Sequence, residues 1–142
     1  MKHVDGLLQL LHPKGWAPTR GYANGVAARG RQVFVAGQVG WNMRQEFESD
    51  DFVAQVEQAL RNVVDVLAEA GARPEHLVRL TWYITDKRQY MTRTKEVGQV
   101  YQAVIGRHYP AMTLLQVAGL VEDRAQVEIE ATAVVPDNTP SS

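Results

Sequence analysis

The chain has 142 residues, which suits one domain around one core, and 45% of them are hydrophobic, which excludes a disordered chain. Its 15 Lys and Arg against 16 Asp and Glu give a net charge of −1, without the basic footprint of a nucleic-acid or anionic-membrane partner. There is no cysteine, hence no disulfide, thiolate nucleophile or cysteine metal site, and no apolar run approaches the length of a membrane span or an export signal. A cytoplasmic protein is the expectation.

Residues 1–17 are expected to be irregular, because Pro13, Gly15 and Pro18 interrupt any pattern. Arg31 to Ala36 is rich in β-formers and reads as a strand opened by Gly30, within a meander punctuated by Gly25, Gly37 and Gly40. Ser49-Asp50-Asp51 offers an N-cap. The following run places Phe52, Val56, Ala59, Val63, Val66 and Ala70 on one helical face, and Gly71 is the stop. His76 to Thr85 alternates, with Val78, Leu80, Trp82 and Ile84 against Arg79, Thr81, Tyr83 and Thr85, and is a strand. A second helix is expected from Lys87 to Arg107, with Tyr90, Val97, Tyr101 and Val104 inward and Gly98 weakening it by about 1 kcal/mol relative to alanine. Met112 to Ala118 and Gln126 to Val135 are two further strands, and residues 136–142 are expected to be a flexible tail.

This order predicts a single α+β domain over residues 1–142, a mostly antiparallel mixed sheet with both helices packed on one face. On the last strand Val127, Ile129, Ala131 and Ala133 can face the helices, which turns Glu128, Glu130 and Thr132 the other way. The preceding strand is largely apolar on both alternating sets. A partner subunit is the simplest cover for the face away from the helices.

Several pieces, in order, carry a resemblance. They are Gly21-Tyr22-Ala23-Asn24-Gly25, Val33-Phe34-Val35-Ala36-Gly37-Gln38, Leu67-Ala68-Glu69-Ala70-Gly71, Thr81-Trp82-Tyr83-Ile84-Thr85-Asp86, Tyr109-Pro110-Ala111 and Val127-Glu128-Ile129-Glu130-Ala131. From about Tyr22 to Val135 the chain resembles the RidA/YjgF family of enamine/imine deaminases. The resemblance implies a chorismate-mutase-like fold, a homotrimer with clefts between subunits, a small-molecule substrate and no cofactor. It also implies catalytic roles for Glu128, which would orient the attacking water, and for Tyr22, and a binding role for Gly37 and Gln38. Three positions depart from the family pattern: Ala36 stands for a serine, Gly98 for an asparagine, and Met112 for the arginine that grips a substrate carboxylate. Methionine is apolar and polarizable and carries no charge. The chain is therefore similar to an arginine-lacking branch, with an altered substrate.

Each candidate has a plainer reading beside the functional one. Glu128 is a general base or an interface carboxylate; Tyr22 is a hydrogen-bond donor or a packing residue. Trp41 stacks on a ligand at the cleft edge or packs within a surface hairpin. Met112, Thr113 and Leu114 line the cleft or belong to a subunit contact. His3, His12, His76 and His108 do not fall at metal-ligand spacing, so no metal is expected. Arg20, Arg88 and Arg124 are the cations able to replace the missing arginine. Three functions compete: a hydrolytic deaminase, a non-catalytic small-molecule binding protein using the same clefts, and nucleic-acid processing, which the charge balance disfavours.

Overall fold

A computed structural model describes residues 3–4 and 8–137. Its elements are β1 (His3–Val4), β2 (Leu8–Leu11), β3 (Gly25–Ala28), β4 (Arg31–Val39), α1 (Phe52–Glu69), a 3₁₀ turn (Pro74–His76), β5 (Leu77–Ile84), α2 (Lys87–Thr92), α3 (Thr94–Val104), β6 (Ala111–Gln116) and β7 (Val127–Val135). Strands β4, β7, β5 and β6 form the central sheet in that order, antiparallel except for the parallel β5–β6 pair. Strands β1, β2 and β3 form a second, antiparallel sheet. An isolated parallel bridge from Ala23 to Ala111 and the Ala23 N–H donated to Pro110 O at 3.0 Å tie that sheet to the β6 edge.

The segment before Pro18 departs from the sequence expectation, since Leu8–Leu11 is a strand whose Leu8 is buried. Its pattern is too short to read without its partner β3. The tail after Asp137 lies outside the described residues.

Helix α1 starts at Asp51, whose carboxylate accepts from the Ala54 N–H at 3.0 Å, satisfying one of the orphan donors of the first turn. It packs on β4 and β7 and against α3. Val56, Ala59, Leu60, Val63 and Leu67 meet Val35, Leu80, Ile84, Val127, Ile129, Ala131 and Ala133 in one core. Burying each large aliphatic side chain contributes about 1.5–3 kcal/mol. Val66, expected inward, is 38% exposed, and Leu67 takes its place. The buried stripe is wider than the chosen positions and is centred between Val56–Val63 and Leu60–Leu67, so Val66 falls at its edge. Gln55 is fully buried and satisfied: it donates to Ser49 O and Arg124 O and accepts from the Gln126 N–H, pinning α1 to the entry of β7. Gly40 is required where α1 crosses β4, because a Cβ there would sit 2.6 Å from Gln55 O.

The second expected helix is two. Arg93 breaks it (φ −129°, ψ 29°), and its guanidinium reaches Asp51 at 2.7 Å and Glu96 at 2.8 Å. Thr92 Oγ1 donates back to Arg88 O at 2.8 Å, closing α2 on itself. Helix α3 ends at Val104 rather than Arg107, followed by Gly106 at φ +95°. Among the described residues no helix is long and apolar enough to cross a membrane.

Candidate functional site

The register sorts the candidate residues by sheet face. Trp82 pairs with Ile129 and Leu114, and Leu80 with Met112 and Ala131; these point toward the helices. Thr81 pairs with Glu130 and Thr113, and Tyr83 with Glu128 and Leu115; these point away. Glu128 and Ile129 thus face opposite ways, as the alternation predicts. Thr113, however, parts from Met112 and Leu114.

The face away from the helices is polar at its centre and apolar at its margins. The half-buried Glu128 carboxylate lies over Gly37 so closely that a Cβ at Gly37 would be 2.0 Å from Oε2 and 2.9 Å from Cγ. The missing side chain is what lets the carboxylate rest on β4. A register shift between Val35 and Gln38 marks a bulge at this point, and the Gln38 amide folds back to donate to Ala36 O at 3.0 Å. Tyr83 donates its hydroxyl to Glu130 Oε2 at 3.0 Å, and that bond to a carboxylate raises the phenol above its usual range. Phe34, 71% exposed, and Leu115 flank the group.

On the helix side, at the β6 edge, lies a cavity of about 480 Å³. Met112, Leu114 and Trp82 form its floor, α3 one wall and Tyr22 its rim. The Ala23–Pro110 and Ala23–Ala111 contacts explain why Tyr22, far away in sequence, stands next to Met112. Trp82 stacks on Tyr101 (centroids 6.4 Å, 26° between planes) and Tyr101 on Tyr109 (5.4 Å, 15°). Tyr101 donates to His108 O at 2.6 Å, and burial pushes its phenol up. The Trp82 indole N–H is buried with no acceptor among the described residues. Gly98 opens onto free space, where a Cβ meets nothing within 4 Å.

Tyr22, Met112 and Leu114 are therefore brought together, as are Glu128 and Gly37, but the two groups occupy different faces of one chain. Trp41 joins neither: its ring packs on Phe47 at 5.7 Å and its carbonyl accepts from Asn62 at 2.8 Å. His108 Nε2 lies 2.7 Å from Leu77 O, joining the α3–β6 connection to β5. Of the three alternative arginines, Arg20 alone lines the aromatic cavity. Arg124 is held by Asp50 at 2.9 Å and lies over the Phe47 ring, and Arg88 lies at a separate depression beside Met91 and Gln116. Alternation groups Trp82 with Leu80 and Ile84, and helical spacing turns Tyr101 inward, but neither pattern marks a cavity wall; the stack forms only when Tyr101 of α3 meets Trp82 of β5. Among the described residues no cluster of three or more His, Asp or Glu is placed to hold a metal.

A mixed sheet with helices on one face, a carboxylate cradled on the other and an aromatic cavity at its edge defines an α+β protein with a pocket at its sheet edge. The family described as Endoribonuclease L-PSP matches residues 14–135, and the chain belongs to this family, also known as RidA/YjgF. It is 34% identical over 124 residues to a RutC family protein of Aquifex aeolicus, covering 86% of this chain and 94% of that one. It is 31% identical over 116 residues to the 2-iminobutanoate/2-iminopropanoate deaminase of Salmonella typhimurium, covering 80% and 86%. The crystal structure of YyfB from Yersinia pestis, a Rid-family protein of unknown function, superposes with a TM-score of 0.80 at 30% identity, covering 90% of this chain and 98% of that one.

Proposed function

We propose that the protein is a homotrimeric, cofactor-independent hydrolase that deaminates an enamine or imine, with Glu128 of one copy facing the Tyr22–Met112 cavity of the next. The observation that carries this reading is the Glu128 carboxylate held over Gly37 on the face with exposed Phe34 and Leu115. A second copy covering that face would remove apolar surface from water and bring the two half-sites together. The deaminase named among the relatives supplies the reaction class.

In this reading Glu128 takes a proton from water as the oxygen bonds to the imine carbon, and the C=N π pair moves to nitrogen, which is protonated. Glu128 returns the first proton to that nitrogen, and the carbinolamine then collapses: Glu128 takes the hydroxyl proton as C=O forms and passes it to the amine nitrogen, which leaves as ammonia with the electron pair of the broken C–N bond. The sum is an imine plus water giving a carbonyl compound plus ammonia. Tyr22, at the cavity rim, donates to a substrate heteroatom in this reading. Small 2-imino acids should be poor substrates, because Met112 puts no counter-charge on the cavity floor, where a short molecule's carboxylate would lie, and the apolar walls gain little from a short side chain. The endoribonuclease activity in the family description is not carried over, since a net charge of −1 provides no footprint for RNA.

The test is Glu128→Gln, assayed by ammonia release on an imine panel. Loss of a general base predicts a fall of about 10²–10⁴-fold in kcat with unchanged melting. Full turnover by the variant sinks the hydrolase reading. Binding without turnover by the wild type supports a non-catalytic binding protein in its place.

A further inference from the structure

We infer that the ligand is bulky and amphipathic: an aromatic or comparably large apolar group enters the cavity, and an acidic group is held at its mouth by Arg20. The inference rests on the hydrolase reading for the reaction but not for the binding. At about 480 Å³ the cavity lies in the usual range for ligand pockets. Its walls are the Trp82–Tyr101–Tyr109 stack with Met112 and Leu114, surfaces that gain from a ring or long hydrocarbon and little from a two-carbon side chain. The void beside Gly98 adds room that a larger side chain would close.

Charge decides what the rest of the ligand is. Among the described residues of one chain, Arg20 is the only charged side chain lining the cavity; it is exposed and has no ion pair there. Within one chain no carboxylate among the described residues lines the cavity; the carboxylate that the proposed trimer adds, Glu128 of the neighbouring copy, is reserved for the water at the reacting carbon, and Arg20 at the mouth would repel an amine. A guanidinium at the mouth of an apolar pocket favours a carboxylate or similar anion. Arg20 thus takes up from the rim the charge recognition that Met112 cannot provide from the floor.

The experiment is calorimetric titration of the full chain with three stable carbonyl compounds: 3-phenyl-2-oxopropanoate, 2-oxopropanoate and the neutral 1-phenylpropan-2-one. The aromatic acid should bind on the order of ten- to a hundredfold more tightly than 2-oxopropanoate. Arg20→Gln should weaken the aromatic acid by roughly two- to fivefold, modest because the charge is exposed, and leave the neutral ketone unchanged. Gly98→Leu should weaken both aromatic compounds together. Equal binding of the small and aromatic acids overturns the inference, as does an Arg20→Gln variant that binds the aromatic acid like the wild type. Absence of ammonia release with this binding pattern intact overturns only the hydrolase reading. Turnover confined to small imines with no aromatic binding overturns only the inference.

Discussion

Gly37→Ala separates the placement of Glu128 from the stability of the fold. The added methyl carbon would lie 2.0 Å from Glu128 Oε2, 2.8 Å from Cδ and 2.9 Å from Cγ. Ordinary contact begins near 3.4 Å, so the carboxylate oxygen must retreat by at least about 1.4 Å. The backbone does not resist, because Gly37 is not at positive φ. Glu128 is half-buried on a face away from the core, so its side chain can rotate, and the stability change should stay within about 1 kcal/mol. Displacing a catalytic group by about 1 Å costs on the order of a hundredfold in rate. The expected result is a kcat for ammonia release reduced about a hundredfold with a melting temperature within a few degrees of wild type, roughly 3 °C per kcal/mol at this chain length. A variant of wild-type activity refutes the proposal that this position of the carboxylate matters. A collapse of the melting temperature refutes the claim that the side chain, rather than the strand, gives way.

Two further outcomes follow. Met112→Arg restores a charged clamp to the cavity floor and should improve small 2-imino acids by roughly ten- to a hundredfold in kcat/KM while weakening aromatic ligands, measured by ammonia release on paired substrates. Acid should loosen the junction of α1 with α3: Arg93 holds the Asp51 carboxyl below its usual value of 3.8, so the stabilisation is present above that pH and is lost as pH falls through the lower folded value. Both side chains are partly exposed, so the effect is discounted by solvent, and melting curves from pH 6 to pH 2.5 should show a shallower acid decline in Arg93→Leu than in wild type.

The fold was legible wherever side-chain periodicity was strict. Alternation in Val127–Val135 and from Leu80 to Ile84 shows which residues meet the helices, and Ile129, Ala131 and Trp82 are all buried there, but a register shift between Leu77 and Arg79 buries Leu77 in the place expected for Val78. The break at Arg93 was not legible, because nothing in Lys87 to Val104 marks a helix stop; it depends on Asp51, 42 residues away, and on Thr92 bonding back to its own helix. Strand β2 was hidden for the same reason, since four residues acquire meaning only beside β3. The site was half legible. Alternation placed Glu128 opposite Ile129, but the same rule also separates Thr113 from Met112, so one chain cannot gather all the candidates on one face. The aromatic cavity arises where Tyr101 of α3 stacks on Trp82 of β5 beside Met112 and Leu114 of β6, and Arg20 reaches it through the Ala23–Ala111 bridge; neither contact has a local signature.

Co-expression of two inactive variants tests the central claim most directly. Glu128→Gln keeps the cavity and lacks the base; Gly98→Trp keeps the base and fills the cavity. If each cleft takes Glu128 from one copy and the cavity from its neighbour, random mixed trimers restore both in roughly a quarter of the clefts. The account predicts ammonia release at roughly a quarter of the wild-type rate from the mixture, with neither variant active alone. A mixture as inactive as its parts, despite confirmed mixed trimers, contradicts a site shared between subunits.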